Sequence, residues 1–400
     1  MRITTGPIPW ISARSRGSGK TVSDIGRKMN DDHRTGIEFK SLAVWMLAVG
    51  LTMAAPLIGA ALAGYPLKRY AHVPPTTQYV HHQEFSWPIF IGYAVFITMF
   101  ALPLLLRFLR IPSPRRRPPS APFPWWGWVS ASVMAAAWIL AWTRFSWFEN
   151  FQAHTFGPLW FSFIFVLNAL CYRRSGRCLL THRTGFLMVL FPVSAAFWWV
   201  FEYLNRFVQN WYYVGVVFAP GEYVLYASLS FSMVLPAVYS MQQLIGAYDG
   251  IRPAFSNWHP VGFKQPRRWA WMTLAAISIL MALMGLVPNH LFALLWLGPL
   301  LIFVSVLTLQ GKTHVLSGAA SGDWTRIVSF ALAALACGFF WEMWNYYSMA
   351  KWKYSIPYVH RFMLFEMPLL GYAGYLPFGL ACAVVGQAVL NILGPKCADE

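Results

Sequence analysis

The sequence predicts an all-α, polytopic membrane protein, and three observations carry that prediction. Apolar runs of roughly the 20 residues a bilayer requires recur along the whole chain. Hydrophobic residues make up 57% of the chain and charged ones only 11%, far from the balance of a soluble domain. Basic residues gather in alternate loops between the runs. Helices are the spanning element these runs dictate, because lipid leaves unpaired backbone groups unsatisfied and nothing in the chain alternates like a barrel strand.

Residues 1–40 are polar and rich in Arg, Lys, Ser and Gly, and read as a disordered, basic cytoplasmic tail. Within it, Gly17-Ser18-Gly19-Lys20-Thr21 has the form of the end of a phosphate loop. Arg14 stands where the first Gly of that motif falls, and no apolar strand precedes it. No cleavable signal peptide is expected, since the first apolar run starts near Ser41. Ten apolar segments follow, at about 41–63, 88–107, 125–143, 157–172, 185–204, 222–243, 269–287, 291–309, 326–345 and 364–393. The first two form an N-terminal transmembrane hairpin within 41–110. Its connection, Tyr65 to Trp87, holds His72, His81, His82 and Glu84, which read as a polar loop rather than a metal site. The last segment is long and is expected to tilt or break near Pro377. Cys171, Cys178, Cys337, Cys382 and Cys397 form neither a Cys-x-x-Cys pair nor a Cys/His cluster, and read as small buried residues.

The sorting of charge sets the orientation. One side takes the tail, Arg107 to Arg117, Arg173 to Arg183, Arg252 to Arg268, Lys312, Arg326 and Lys396. The other has only Lys68, Arg69, Arg144, Arg206, Lys351, Lys353 and Arg361. The basic side is the cytoplasmic one, so both termini are expected in the cytoplasm and the chain in a bacterial cytoplasmic (inner) membrane. The net charge of +17 follows from this sorting and does not call for a nucleic-acid partner. Arg115-Arg116-Arg117 reads first as a topology signal, with anionic lipid as its other reading.

A repeat runs through the chain. Phe197-Trp198-Trp199-Val200-Phe201-Glu202-Tyr203-Leu204-Asn205 is followed by Trp211-Tyr212-Tyr213 and Pro220-Gly221-Glu222. Phe339-Phe340-Trp341-Glu342-Met343-Trp344-Asn345 is followed by Trp352-Lys353-Tyr354 and Phe365-Glu366-Met367-Pro368. Gly157-Pro158 and Gly298-Pro299 stand at similar distances before the two motifs, and Pro124-Trp125-Trp126 matches Arg268-Trp269-Ala270-Trp271. Two parallel four-helix repeats follow from this, 124–245 and 268–393, related by an axis along the membrane normal.

Four of the chain's eight Glu lie in these motifs. Glu202 with Asn205, and Glu342 with Asn345, are three apart and share a helix face. Glu222 and Glu366 open the next helices, so the topology sets all four carboxylates at similar depth near the outer surface. A carboxyl among apolar and aromatic walls suits acid–base work, which makes Glu202 and Glu342 candidate proton carriers and Glu222 and Glu366 their partners. Asn205 and Asn345 are the candidate orienting amides. Trp211, Trp352, Tyr213 and Tyr354 are the candidate binding residues. Trp and Tyr also gather at membrane interfaces on account of their rings, and a Glu at a helix start complements the helix dipole. His360 and Arg361 are further candidates for an anionic group, and Gln242 and Gln243 for contacts between helices. No cofactor motif, nucleotide loop, metal cluster or nucleophile–His–acid set is legible, and no apolar segment holds an Asp.

Asn205, Trp211-Tyr212-Tyr213 and Pro220-Gly221-Glu222-Tyr223-Val224-Leu225-Tyr226 resemble a short stretch of the membrane-embedded lycopene cyclase domain family of bacterial and fungal type. That family carries an acidic or amide residue, then Trp-x-Tyr/Phe, then Pro-x-Glu-Glu-x-x-Phe-Phe. Here the second Glu position holds Tyr223 and the paired Phe positions hold Tyr226 and Ala227, while in the second repeat Pro368 follows Glu366. The resemblance covers about 50 residues per repeat. It implies a related helical scaffold and proton-driven chemistry on a polyene. Three functions are therefore carried forward. An acid–base enzyme or binder of a lipid-like or isoprenoid small molecule predicts a closed apolar pocket at the Glu residues. A proton- or cation-coupled transporter predicts a water path and broken helices at the midplane. A scaffold or assembly subunit docking another membrane protein predicts a flat, exposed aromatic surface.

Overall fold

The computed structural model describes residues 22–75, 77–111, 119–248 and 250–393. The phosphate-loop look-alike, Arg115 to Arg117, Lys396 and Cys397 lie outside the described residues. The chain divides into two compact units, 1–46 and 47–400. The described part of the first is helical. The second contains the site and every side-chain contact treated below.

Most of the chain is helix, and among the described residues eight helices are long and apolar enough to cross a membrane. Helix α1 is Val22–Leu62 and α2 is Trp87–Arg110. Helix α3 is Trp125–Trp142, α4 Phe156–Ser175 and α5 Thr184–Val208. The segment expected at 222–243 is two helices, α6 Pro220–Phe231 and α7 Val234–Gly246. Helix α8 is Pro266–Leu286, α9 Leu294–Leu309, α10 Thr325–Tyr347 and α11 Tyr375–Leu393.

Each of the ten expected segments contains a helix, but Glu366 does not open one, since residues 364–374 of the last segment are a short strand pair and a turn, and two of the helices are too short or too polar to count as spans. In α3, five Trp, a Gly and two Ser lower the hydropathy. Helix α9 has 16 residues, about 24 Å at 1.5 Å per residue, against a hydrocarbon core of about 30 Å. The backbone from Val22 to Lys40 is helical, where a disordered tail is expected from composition. No Pro interrupts it before Pro56. The break expected near Pro377 falls just before it. The turn Leu369–Gly374 ends at Tyr375, and Pro377 occupies the first turn of α11, where its missing N–H costs nothing.

Small residues set the closest crossings, as in other helix pairs in lipid. A Cβ on Gly59 of α1 would stand 1.7 Å from Ala282 O of α8, and one on Gly285 would stand 1.9 Å from Pro56 O. Gly386 of α11 makes the same room for the Tyr239 hydroxyl of α7, which donates to Ala383 O at 3.1 Å. Between α6 and α7, Ser194 of α5 is spliced into the break. It donates to Phe231 O and accepts from Leu235 N.

Two short strands lie between the helices that carry the two motifs and those that follow them. Strand β1, Trp211–Val214, follows α5, and β2, Lys351–Tyr354, follows α10. They pair antiparallel, Trp211 opposite Tyr354 and Tyr213 opposite Trp352. A second, two-residue pair, β3 Met363–Leu364 and β4 Met367–Pro368, lies in the loop before α11. The α1–α2 connection runs as a strap over these parts. Tyr70 stacks on Phe207 at 4.3 Å, and the Arg206 guanidinium donates to Tyr70 O and His72 O. Tyr79 meets Tyr212 edge-on, and Val80 O accepts from Ser355 Oγ at 2.8 Å.

Candidate functional site

Helix geometry places the first groups. Trp198, Glu202 and Asn205 are spaced i, i+4, i+7 and share one face of α5. Gly338, Glu342 and Asn345 do the same on α10. Glu202 and Glu342 are fully buried. Oε1 of Glu202 accepts from Trp198 Nε1 at 2.9 Å, Trp211 Nε1 at 3.1 Å and Tyr213 Oη at 2.6 Å. Oε1 of Glu342 accepts from Trp352 Nε1 at 3.4 Å, Tyr354 Oη at 2.7 Å and Tyr375 Oη at 2.7 Å. Each carboxyl thus gathers three aromatic donors on one oxygen. Its other oxygen, Oε2, is buried without a hydrogen-bond partner among the described residues.

The amides hold the ribbon. Asn205 Nδ2 donates to Trp211 O at 2.8 Å, and its Oδ1 accepts from Asn210 N at 2.8 Å and Trp211 N at 3.4 Å. Asn345 Nδ2 donates to Trp352 O at 2.8 Å, and its Oδ1 accepts from Trp352 N at 2.9 Å. The ladder explains why. Ser355 N donates to Asn210 O. By the alternation of an antiparallel ladder, Trp211–Tyr354 and Tyr213–Trp352 are then non-hydrogen-bonded pairs, with side chains close and backbone groups turned outward. The two Asn side chains satisfy those outward groups as a further strand would. Glu202 and Asn205 therefore share Trp211, one taking the indole and the other the main chain. Glu342 and Asn345 share Trp352 in the same way.

The ribbon's register maps onto itself when Trp211 is exchanged with Trp352 and Tyr213 with Tyr354. These four side chains line one cavity of about 480 Å³. Trp198, Trp296, Trp341, Phe231, Met367 and Tyr375 line its interior. His154, Phe218, Tyr226 and Lys351 also line it, and His154 packs on Tyr226 at 4.4 Å. Burial first, and then the neighbouring Glu, hold the Tyr213 and Tyr354 hydroxyls well above their ordinary range, so both remain donors.

Glu202, Glu342, Asn205 and Asn345 lie behind the aromatic wall and do not line the cavity. Glu222 and Glu366 do not line it either. Glu222 caps α6 by accepting from Ala219 N at 3.1 Å. Glu366 pairs with Lys351 Nζ at 2.5 Å, and Lys351 also donates to Tyr346 O. Both are drawn away by nearer local partners.

Arg361 lies over Phe85, Trp87 and Phe362. Burial and then the charge of His82 lower His360. His82 binds Asn289 Oδ1 at 2.9 Å and Gln209 O at 3.2 Å. Among the described residues, no group of three or more His, Cys, Asp or Glu is placed to hold a metal. Gln242 donates to Ser329 Oγ, joining α7 to α10.

Tyr375 and Trp296 are site residues that the motif spacing does not reach. Trp296 stacks on Trp211 at 5.8 Å and on Phe201 at 5.3 Å. The one sequence sign of Tyr375 is Gly338, which stands where the first motif has Trp198. A Cβ there would lie 2.4 Å from the Tyr375 ring.

No protein-family model, curated protein or solved structure matches this chain.

Proposed function

We propose that this is a bacterial inner-membrane protein whose aromatic cavity binds one lipid-like or isoprenoid molecule. The observation that carries the reading is that donors to both buried carboxyls line a single cavity. Apolar walls with a few convergent polar groups favour a small hydrophobic ligand over an ion path or a flat docking surface. In the acid–base form of the reading, Glu202 and Glu342 carry the proton on Oε2. Tyr213, Tyr354 and Tyr375 connect them to the ligand, since their hydroxyls bind Oε1 and their rings face the cavity. Proton-driven chemistry on a polyene, as the lycopene cyclase resemblance implies, is one case of this.

The proposal extends to the scaffold. Ten spanning segments form an N-terminal hairpin, 41–110, and two parallel repeats, 124–245 and 268–393, with both termini cytoplasmic. Support for the repeat comes from the matched roles of Glu202 and Glu342, Asn205 and Asn345, Trp211 and Trp352, and Tyr213 and Tyr354. The test is mass spectrometry of organic extracts of the purified protein. Wild type is expected to carry one lipid-like species, lost from the Trp211→Ala/Trp352→Ala variant. Extracts of wild type with no such species, from protein that remains folded, refute the reading.

A further inference from the structure

The lining of the cavity is uneven. Of the residues that bound it, Pro158 at the start of α4 and Leu229 on α6 are exposed, and the rest are buried or half-buried. Both helices belong to candidate membrane spans, Phe156–Ser175 and Pro220–Gly246.

Helix α6 is a wall one helix thick. Tyr223, Tyr226, Ala227 and Ser230, spaced i, i+3, i+4, i+7, line the cavity. Val224, Leu225 and Leu229 are exposed, at 37%, 56% and 52%, as suits a face in hydrocarbon. The helix is fastened to α5 by the bond from Trp199 Nε1 to Ser228 Oγ at 3.0 Å and by the packing of Trp199 on Tyr223 and Phe231. Towards α4 itself no hydrogen bond or ring contact joins it among the described residues, and the tie at that edge is the packing of His154, just before α4, on Tyr226 at 4.4 Å. Gly157 and Pro158 stand at that edge, and nothing lies within 4 Å of where a Gly157 Cβ would be.

We infer that the cavity is loaded sideways from the bilayer through the gap between Gly157-Pro158 and α6, and that it takes one chain end of a membrane-dissolved lipid. This rests on the lipid-binding reading above. The size of the occupant follows from the volume. A cavity of about 480 Å³ falls in the range, roughly 300–1,000 Å³, that takes one small hydrophobic molecule. That is a single acyl or prenyl chain, or one end of a longer polyene whose remainder stays in the membrane. A two-chain lipid does not fit whole. Among the described lining residues the one Lys or Arg, Lys351, is already paired with Glu366, so the apolar end enters first.

The test uses the full-length protein in phosphatidylcholine nanodiscs with palmitic acid carrying a diazirine at its terminal carbon. After illumination, peptide mass spectrometry is expected to find label on the peptides holding Trp352, Tyr354 and Tyr375. Gly157→Trp fills the gap from the α4 side and Leu229→Trp, at the exposed lining residue of α6, fills it from the other. Each is expected to lower cavity labelling by about tenfold or more. Gly221→Trp, at an equally open glycine that does not line the cavity, is expected to stay within about twofold of wild type. Size-exclusion and thermal profiles establish that each variant is folded. Wild-type labelling in both plug variants, or an equal loss in Gly221→Trp, overturns the portal and leaves lipid binding standing. Wild type that takes no label on these peptides overturns the lipid reading and the portal together.

Discussion

Replacing Asn345 by alanine removes both hydrogen bonds that hold the outer edge of β2. Asn345 is 2% exposed, and its amide binds the N–H and the C=O of Trp352 at 2.9 and 2.8 Å. Neither group faces the partner strand, so alanine leaves both unsatisfied. Each such group costs about 1–3 kcal/mol, which gives about 2–6 kcal/mol for the pair. Trp352 is only half-buried, and water reaching its backbone brings the expected loss into the lower range, about 2–4 kcal/mol. The assay is unfolding in detergent followed by tryptophan fluorescence, with Ser348→Ala as the comparison. Ser348 Oγ donates only to Trp344 O of its own helix, so its loss should cost about 1 kcal/mol or less. Asn205→Ala is expected to cost more than Asn345→Ala, because its Oδ1 also accepts from Asn210 N and Trp211 is buried. The double variant should cost less than the sum, because both amides hold one ribbon. If Asn345→Ala is no less stable than Ser348→Ala, the account of the ribbon is wrong.

Three further outcomes are expected. Glu342→Gln keeps the acceptor for Trp352, Tyr354 and Tyr375 and should cost about 1–3 kcal/mol, while Glu342→Leu strands three donors and should cost clearly more; equal losses would refute the hydrogen-bond scheme. Glu366→Gln removes a partly exposed ion pair, so a small change of about 1 kcal/mol or less is expected, with the extracted lipid retained; loss of the lipid would return Glu366 to the site. Topology is tested at exposed positions, because Cys178 is buried and is a poor target for thiol reagents. An impermeant maleimide should label His81→Cys in intact cells and Arg177→Cys only after permeabilisation, and the reverse pattern would invert the orientation.

Helix identity and the pairing of Glu with Asn were legible in the sequence, because periodicity and spacing act along one helix. The motif Glu-x-x-Asn…Trp-x-Tyr is a local hydrogen-bonding unit, so its parts stay within ten or twelve residues of each other and survive as a pattern. Glu222 and Glu366 looked equivalent to Glu202 and Glu342 because depth in the membrane was the only coordinate available. Depth does not decide which neighbour is nearest. Ala219 N is three residues from Glu222, and Lys351 reaches Glu366 because the loop before α11 packs beside β2. Trp296 was invisible for another reason. It comes from α9, outside both motifs, and reaches the site through tertiary packing against Phe201 and Trp211.

The two carboxyl clusters differ in their third donor, and the difference gives a sharper test of how they are built. In the first, Trp198 stands one turn before Glu202 and donates from the same helix. In the second, the position one turn before Glu342 is Gly338, and the third donor is Tyr375 from α11. A Cβ at Gly338 would stand 2.4 Å from Tyr375 Cδ2 and Cε2. The glycine is therefore the space in which that ring lies, and the ring replaces the missing indole. Gly338→Ala should push Tyr375 off Glu342 and cost about 1–3 kcal/mol from overpacking. Alanine favours a helix interior over glycine by about 1 kcal/mol, so the net loss belongs to the ring and not to the backbone. In Tyr375→Ala the ring is absent, and adding Gly338→Ala should then stabilise rather than destabilise. That reversal of sign, measured as a double-mutant cycle in detergent unfolding, is what the arrangement requires. A Gly338→Ala effect of the same sign and size with and without the Tyr375 ring would mean that Gly338 serves the helix and not the carboxyl.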